Sequence, residues 1–542
     1  MKRYNLYIIL TAFLAVGLSS CDKFLDEKPD NRMDLHSKED LSRLLVDAYP
    51  IISPAYILEM RSDNTNEYHN TAWASQGRFQ EQAYNWETMT DVSANDNARY
   101  LWDSNYHAIA AANEVIKFVK GKAVGEQAQF DAQLGEALLC RAYCMFVLAN
   151  TFCMAYDEAT ASQELGLPYP LEPESVVGVT YERGTLAELY QKIDNDLQEG
   201  LAKVKNDYGD TPKFHFTQQA GYAFAARFYL YYRQYQKAKD YAGMVLGDAP
   251  AAKLRDWAYM ADLSRNANVQ GLEYISTKSP ANLLLMLYNS YWPMVQGSYL
   301  YGKRYAHGQR LSNYETLECR GPWGAGGGKD SNGMNYAIWK NTGLSCVFIN
   351  KLANLREEDA ATNTFQPHME LPVFSTDETL LVRAEAKIML GDYNGGLQDI
   401  NTELTKFHST AKQISLGDVL SFYNDATGVK YYTPLSPTPR KKLHTSFTIE
   451  STRQEPLLQC VLQLRRLLTI GEGLRMQDVK RYGIKIYRIR LNESQVVEAV
   501  TDSLVPGDSR YAAQLPSDVL SAGLQPNPVV IPASSVVEYK AK

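Results

Sequence analysis

Two stretches of the chain share one pattern: residues 218–246 read QQAGYAFAARFYLYYRQYQKAKDYAGMVL, and residues 377–401 read DETLLVRAEAKIMLGDYNGGLQDIN. At an offset of 158 residues, small positions align with small ones and large with large: Ala226 with Ala384, Leu230 with Ile388, Tyr235 with Tyr393 and Ala238 with Gly396. Small side chains at helical spacing allow two helices to approach closely. Each stretch therefore predicts a helix, a tight break near the tyrosine and a second helix.

The rest of the chain also favours a mainly α fold. Between Gln133 and Phe152, large apolar residues recur at helical spacing with alanines between them. The paired pattern is similar to tetratricopeptide helix pairs, although it lacks their strict tandem period. Two unrelated helical hairpins that both need small residues at their crossings are the alternative.

The composition is that of a globular and mildly acidic protein. Of 542 residues, 45% are hydrophobic and 22% are charged, and 55 Lys plus Arg against 62 Asp plus Glu leave a net charge of -7. Such a chain has enough apolar residues to build a large core. It has no long basic run, so nucleic acid is not predicted as a partner.

The N-terminus predicts export and a lipid anchor. Two cations precede an apolar run from Leu6 to Leu18, which is too short to span a bilayer and is typical of a secretory signal. The sequence Leu18-Ser19-Ser20-Cys21 follows, with the cysteine where a lipoprotein carries its lipid. We predict a signal peptide at residues 1–20 and a mature protein tethered through Cys21, and several acyl chains would make that tether stable. An ordinary signal peptide with an incidental cysteine is the alternative.

Two segments are rich in aromatic and polar residues without helical periodicity. Residues 297–343 hold 10 of the 34 glycines together with several tyrosines and tryptophans, among them Tyr314 and Trp339. Residues 63–86 read DNTNEYHNTAWASQGRFQEQAYNW. Glycine at this density interrupts helices, and long aromatic loops on a scaffold are frequent binding surfaces.

These patterns predict how the mature chain is organised. We expect one domain over residues 21–542, with a helical scaffold at roughly 98–265 and 344–483. Two loop-rich inserts at roughly 61–97 and 280–343 are expected to form the ligand face.

The sequence contains no recognised catalytic or metal motif. HExxH, GxSxG and paired-histidine patterns are all absent, so we predict no catalytic residue, no metal and no cofactor. A structural calcium ion could take oxygens from Asp91, Asn95, Asp96 and Asn97. These residues lack EF-hand spacing, however, and a solvated turn is the favoured interpretation.

Three further patterns are interpreted as structural. Cys140 and Cys144 stand four residues apart without a CxxC or a nearby histidine, which indicates buried thiols in a helix. Trp102 and Trp257 lie among periodic helical residues and are predicted to be in the core. The charges of Glu472, Arg475, Asp478 and Arg481 alternate along one helix face, a pattern that holds a helix against its neighbours rather than one that performs chemistry.

Five segments, in order along the chain, resemble the SusD/RagB family of cell-surface nutrient-binding lipoproteins. They are CDKFLDEKP (21–29), GEALLCRAYCMFVLANTFCMAY (135–156), DETLLVRAEAKIMLGDY (377–393), LRRLLTIGEGLRMQDVKRYG (464–483) and AAQLPSDVLSAGLQPNP (512–528). The chain departs from the family pattern at Arg465-Arg466, where Glu-Arg is usual, and at Tyr482, where Trp is common.

The resemblance implies a non-enzymatic role and a SusD-like, mainly α domain. Members of the family capture glycan, or in some branches peptide, on the outer face of the outer membrane, and they deliver it to a partner SusC-like TonB-dependent transporter. In the family, the ligand face is built from the same two regions that the composition indicates here.

The resemblance and the composition together name six candidate ligand-binding residues. They are Asp63, Trp73 and Arg78 in the first insert and Tyr291, Trp292 and Trp323 in the second. Aromatic faces cover the C–H patches of sugar rings while polar groups pair with the hydroxyls. For each tryptophan, core packing is the alternative.

Three other functions stay open at this point. The same architecture could capture peptide, because ligand choice lies in loops and not in the scaffold. A lipid-anchored glycoside hydrolase with an unfamiliar carboxylate pair is a second alternative. A scaffold that binds protein partners through its helix pairs is the third, and it leaves the glycine- and aromatic-rich insert unexplained.

Overall fold

The computed structural model describes residues 35–68, 77–174, 179–206, 208, 211–264, 267–296, 304–324, 333–336, 338–341 and 346–532. The chain divides into residues 1–43 and a unit of residues 44–542. The predicted signal peptide and Cys21 lie outside the described residues, so both stay predictions.

The described residues form helices and short strands. The helices are α1 (Lys38–Leu45), α2 (Ala55–Arg61), α3 (Arg78–Tyr84), α4 (Ala98–Lys120), α5 (Val124–Gln127), α6 (Asp131–Phe152), α7 (Leu186–Lys203), α8 (Gln218–Tyr231), α9 (Tyr235–Leu246), α10 (Trp257–Asp262), α11 (Ala267–Tyr274), α12 (Trp292–Gln296), α13 (Gln309–Tyr314), α14 (Thr376–Met389), α15 (Tyr393–Phe407), α16 (Leu416–Phe422), α17 (Gln454–Leu468), α18 (Arg475–Arg481) and α19 (Ser517–Ser521). The strands are β1 (Asn66–Tyr68), β2 (Asn282–Asn289), β3 (Tyr305–Ala306), β4 (Ile338–Asn341), β5 (Cys346–Ile349), β6 (Leu355–Asp359), β7 (Thr364–Ser375), β8 (Ile486–Leu491) and β9 (Val497–Leu504).

The two helix pairs predicted from the repeated pattern are present. Helices α8 and α9 are separated by a break in which Arg233 has φ +61°, and α14 and α15 by a break in which Gly391 has φ +83°. The second crossing needs a small residue, because a Cβ atom at Gly396 would lie 2.5 Å from Cγ1 of Ile388. The pairs also contact each other: Arg227 of α8 donates to Glu378 of α14 at 3.2 Å.

Helix α6 confirms the helix predicted between Gln133 and Phe152, and it is buried over almost its whole length. Cys140 and Cys144 on this helix are buried free thiols, as predicted. By length and hydropathy, the stretch Val124–Phe152 is the one among the described residues that could cross a membrane, yet 89% of its most apolar window is buried within the protein. The core helix of a folded domain has the same character.

Among the described residues, three small sheets accompany the helices, and the sequence patterns did not predict them. Their strand orders are β3-β1-β8-β9, β2-β7-β6 and β4-β5. Strand β2 lies in the predicted second insert and pairs antiparallel with β7 in the predicted scaffold, so backbone hydrogen bonds join the two segments. Short apolar runs such as residues 283–288 are ambiguous by periodicity alone, and pairing with a distant strand decides them.

A buried ionic cluster connects α14, α17 and α18. Glu385 of α14 accepts hydrogen bonds of 2.6 Å from Arg465, from Arg481 and from the Tyr482 hydroxyl. Burial raises the pKa of Glu385, but the adjacent guanidinium groups of Arg481 and Arg465 outweigh burial and lower it to about 2. Opposite charges held this closely in the core fix the three helices in one arrangement.

The alternating charges at residues 472–481 are structural, as predicted, with one correction. Helix α18 begins at Arg475, so Glu472 lies before the helix and not on its face. Glu472 accepts instead from Lys351 at 2.6 Å and from the Tyr274 hydroxyl at 2.6 Å. Residue spacing assumes a continuous helix. Gly473 has a left-handed conformation (φ +78°), so Glu472 lies outside the helix that begins at Arg475.

Neutralising Glu385 should destabilise the protein strongly. Glu385→Gln leaves the buried charges of Arg465 and Arg481 only partly compensated by Asp478, and breaking a buried ion pair costs about 3–5 kcal/mol. Urea unfolding followed by circular dichroism measures the free energy of unfolding. The exposed Glu358→Gln is the matched control, with an expected change within about 0.5 kcal/mol. Equal stability of the two variants would contradict the structural role of the cluster.

Candidate ligand-binding surface

The two inserts predicted from composition meet in space. Strand β1 of the first insert pairs antiparallel with β3 of the second, with Glu67 opposite Tyr305. Arg304 donates to Glu67 at 2.7 Å and to Glu81 at 3.4 Å, so one guanidinium joins both inserts. Backbone pairing of β1 with β3 and the ion pairs of Arg304 both join the two inserts, which therefore form one continuous region.

A buried carboxyl group makes a second connection between the inserts. Asp96 accepts from the backbone N–H of Tyr291 at 2.8 Å and from the Ser290 hydroxyl. The Ser290 hydroxyl in turn accepts from the backbone N–H of Trp292 at 3.1 Å. Burial raises the pKa of Asp96 to about 7. The start of α12 is therefore anchored through a group whose charge changes near neutral pH.

Two of the other residues considered for calcium, Asp91 and Asn97, also have structural partners. Asn97 caps α4 by accepting from Tyr100 N–H at 2.9 Å, and Asp91 accepts from Phe79 N–H at 2.9 Å near the start of α3. Within the part of the chain that the structure describes, no group of three or more His, Cys, Asp or Glu side chains is placed to hold a metal ion.

The candidate Asp63 lies in the interior, within an ionic network. Arg475 donates to both carboxylate oxygens, at 2.8 and 2.9 Å, and Arg466 lies 3.6 Å away. Burial raises the pKa of Asp63, but Arg466 and Arg475 outweigh it and hold the pKa well below its usual range. In sequence Asp63 looks like a loop residue, because its partners lie about 400 positions along the chain.

The candidates Trp292 and Trp323 are also interior. Trp292 is 5% exposed, stacks on Tyr56 with ring centroids 5.0 Å apart, and donates from Nε1 to the carbonyl of Gly471 at 2.7 Å. Trp323 is 2% exposed and belongs to the same hydrophobic cluster as Trp257. Protein atoms cover both rings, so core packing describes their surroundings. Trp102 and Trp257 are buried as well, as predicted.

The remaining candidates differ in exposure. Arg78 is exposed at the first position of α3, and Tyr291 is half-buried beside the Asp96 anchor. Trp73 lies outside the described residues. A ligand-binding role for these three stays a prediction.

A strip of aromatic and polar side chains lies across the surface of the second insert. We call it the insert strip, and its members come from α13, from the residues directly after it and from β4: Gln309, Arg310, Asn313, Tyr314, Glu318 and Lys340. Tyr314 is 49% exposed and is the aromatic member of the strip. Trp339 precedes Lys340 on β4, so its side chain lies on the opposite face of the strand, where Nε1 donates to Gln270 at 3.2 Å.

Hydrogen bonds hold the polar members of the insert strip in place. Gln309 donates to Asn313 at 2.7 Å and to Glu318 at 2.8 Å, and Lys340 donates to Glu318. Arg310 lies 5.8 Å from the centre of the Tyr314 ring and donates to the carbonyl of Pro434 at 3.1 Å. Fixed amides, a carboxylate and cations beside a flat ring suit a ligand rich in both hydroxyls and C–H faces.

Sequence reasoning found part of this surface and missed the rest. Tyr314 belongs to the aromatic content that singled out residues 297–343. The polar members of the strip carry no motif, because Gln309 and Lys340 meet Glu318 only after the helix and the strand have packed together.

Comparison with known proteins identifies the fold. The fold of this chain is similar to that of solved structures of the SusD superfamily. One from Bacteroides thetaiotaomicron VPI-5482 is 18% identical, covers 91% of this chain and 100% of its own, and has a TM-score of 0.62. One from Bacteroides vulgatus ATCC 8482 is 18% identical, covers 91% and 99%, and has a TM-score of 0.61. A laminarin-binding SusD-like protein is 15% identical, covers 91% and 98%, and has a TM-score of 0.53.

The sequence itself points the same way. Residues 23–230 match the SusD-like family model described as "starch-binding associating with outer membrane". No curated protein matches the chain. Over residues 23–230 the chain is therefore similar in sequence to this family, and over nine tenths of its length it shares the fold of the SusD superfamily structures.

Replacing Asp96 should change how stability depends on pH. Its pKa is 3.8 when unfolded and about 7 when folded, so between these values the unfolded chain binds fewer protons and rising pH lowers the free energy of unfolding. Asp96→Asn removes this titration. From about pH 4 to about pH 8, the stability of the variant relative to the parent should rise by up to about 4 kcal/mol, as urea unfolding at each pH would measure.

Asp91→Asn is the control of opposite sign. Partial burial raises the pKa of Asp91, but hydrogen bonds from Ser93 and Phe79 outweigh it and lower the pKa. The stabilisation from Asp91 is therefore lost at acid pH, below its unfolded pKa of 3.8. Parallel pH profiles for the parent and Asp96→Asn would show that Asp96 does not titrate in this way.

Proposed function

We propose that this protein captures oligosaccharide or polysaccharide at the cell surface and delivers it, uncleaved, to a partner SusC-like TonB-dependent transporter. The observation that carries the proposal is the insert strip, where the accessible ring of Tyr314 lies among fixed amide, carboxylate and cationic groups. The description of the matched family and the laminarin-binding relative support a glycan as the ligand.

The strip suggests how a glycan would be held. The face of Tyr314 would cover the C–H patch of a sugar ring, while Gln309, Asn313 and Glu318 exchange hydrogen bonds with hydroxyls. Each sugar hydroxyl exchanges hydrogen bonds to water for hydrogen bonds to protein, and the net gain in binding free energy is small. The affinity for each sugar ring is therefore low. Low affinity per ring suits a protein that passes its ligand on.

The proposed location follows from the N-terminus and the family. A lipid on Cys21 would hold the protein in the outer membrane, facing the cell exterior, and the family description associates the matched segment with that membrane. In this position the captured glycan lies beside the transporter that imports it. We propose no catalytic residue, metal or cofactor, because delivery by binding requires none.

Removing the aromatic face of Tyr314 should weaken glycan binding. An aromatic contact is worth about 0.5–1.5 kcal/mol, so Tyr314→Ala should weaken binding by up to about tenfold. Affinity gels with laminarin and a panel of plant, microbial and host polysaccharides, run on protein that begins at residue 22, measure retardation. Calorimetry and product analysis then follow on any polysaccharide that retards it.

The matched control is Tyr100→Ala, which removes a ring that is 42% exposed on the scaffold helix α4. It should migrate like the parent in every gel. If no polysaccharide retards the folded parent, glycan capture is wrong and peptide capture by the same architecture takes its place. Cleavage of a retarded polysaccharide would instead show a glycoside hydrolase.

A further inference from the structure

A pocket lies between the first insert and the C-terminal segment, and none of its lining residues belongs to the insert strip. Its volume is about 550 Å³, within the range of about 300–1,000 Å³ typical of ligand pockets. One wall is formed by residues 85–88, which follow α3, and the other by the end of β9 and by residues 509–531. The C-terminal Asn-Pro pair, residues 527 and 528, belongs to this second wall.

The C-terminal wall is rigid. Arg510 pairs with Asp502 and with the buried Asp508, to which it donates at 2.8 Å. Gln514 donates to the carbonyl of Asn527 at 3.0 Å and accepts from its backbone N–H at 2.9 Å. Because these side chains hold one another, their arrangement exists before any ligand arrives.

The facing wall has polar side chains that the protein does not use. The side chains of Asn85, Glu87 and Thr88 have no hydrogen-bond partner among the described residues, and Glu87 and Thr88 are exposed. This wall is also fixed in shape. Trp86, between them, has φ +57°, a strained conformation for a bulky residue.

Two interactions hold Trp86 in that conformation. Its Nε1 donates to the carbonyl of Arg61 at 2.8 Å, and its ring lies 3.9 Å from the guanidinium of Arg488 and 5.4 Å from that of Arg510. The buried tryptophan thus connects the turn at residues 85–88 to the opposite wall. Strain maintained at the edge of a pocket lined by unused polar groups is a feature of ligand sites.

The groups that line the pocket indicate the charge of its ligand. Amides, hydroxyls and carboxylates are donors and acceptors suited to sugar hydroxyls. Glu87 and Asp502 bring negative charge, and the guanidinium of Arg510 is already paired with two carboxylates. An anionic sugar would be repelled here, whereas a neutral one would not.

We infer that this pocket binds a neutral sugar unit, as a second site for the glycan whose capture is proposed above. The inference rests on that proposed function for its biological meaning and on the geometry of this pocket for its chemistry. A polymer bound at both the pocket and the insert strip gains affinity through linkage of two weak sites.

A pocket-filling variant tests the inference on the full chain in detergent. Thr501 is exposed on β9 and lines the pocket, so Thr501→Trp should occupy it without disturbing the core. Glu498→Trp places the same ring on the same strand outside the pocket and is the matched control. Thr88→Trp, from the facing wall, is the second variant should Thr501→Trp not fold, with circular dichroism as the check.

The probes are cellobiose, laminaribiose and the anionic digalacturonate, measured by saturation-transfer NMR and calorimetry. We expect a neutral disaccharide to bind the parent and Glu498→Trp, and to bind Thr501→Trp at least about tenfold more weakly. Digalacturonate should bind the parent at least about tenfold more weakly than the neutral sugar. The inference is overturned if neither neutral disaccharide binds, if pocket filling changes nothing, or if digalacturonate binds equally well.

Failure of this inference and failure of the proposed function give different results. Polysaccharide retardation that Tyr314→Ala weakens, without disaccharide binding sensitive to Thr501→Trp, leaves glycan capture standing and removes the second site. Disaccharide binding that Thr501→Trp abolishes, without retardation by any polysaccharide, supports the pocket and removes polymer capture.

Discussion

Two adjacent arginines on α17 connect the helical scaffold to both inserts. Arg465 points to the scaffold, where it pairs with Glu385 of α14 at 2.6 Å. Arg466 points to the inserts: it donates to the backbone carbonyl of Asp63 at 2.6 Å in the first and lies 3.3 Å from Glu315 in the second. Guanidinium groups form several directional hydrogen bonds at once, so this pair can hold three separate segments in register. The family pattern that this stretch resembles usually has Glu-Arg here, so the departure lies at the first position, and Arg465 at that position carries the scaffold contact.

The same network explains why part of the fold was accessible from the sequence and part was not. The helix pairs were predicted because their signal is local: small residues such as Ala384 and Gly396 recur at helical spacing within each stretch. Asp63 could not be recognised as interior, because its burial depends on Arg466 and Arg475 far along the chain. Trp323 was ambiguous for a similar reason. Its ring packs against Gly321, where a Cβ atom would lie 2.3 Å away, and only the folded turn brings them together.

Whether an aromatic residue of the inserts is exposed or interior also depends on contacts with distant parts of the chain. Composition singled out the second insert as rich in aromatic side chains, and the exposed Tyr314 lies there. Composition alone does not distinguish an exposed ring from the interior ring of Trp292, which stacks on Tyr56 of another helix. Aromatic residues serve cores and binding surfaces equally well, since both uses depend on a large flat face. Packing against distant helices decides between the two.

Strand β1 has only three residues, yet it lies between β3 of the second insert and β8 near the C-terminus. The backbone of each insert therefore completes the hydrogen bonding of the other, and neither is an independent module. Exchange of ligand preference between relatives, in the laboratory or by recombination, would have to transfer both inserts as a matched pair. A single transplanted insert would leave a sheet edge unpaired beneath the very surface that it was meant to alter.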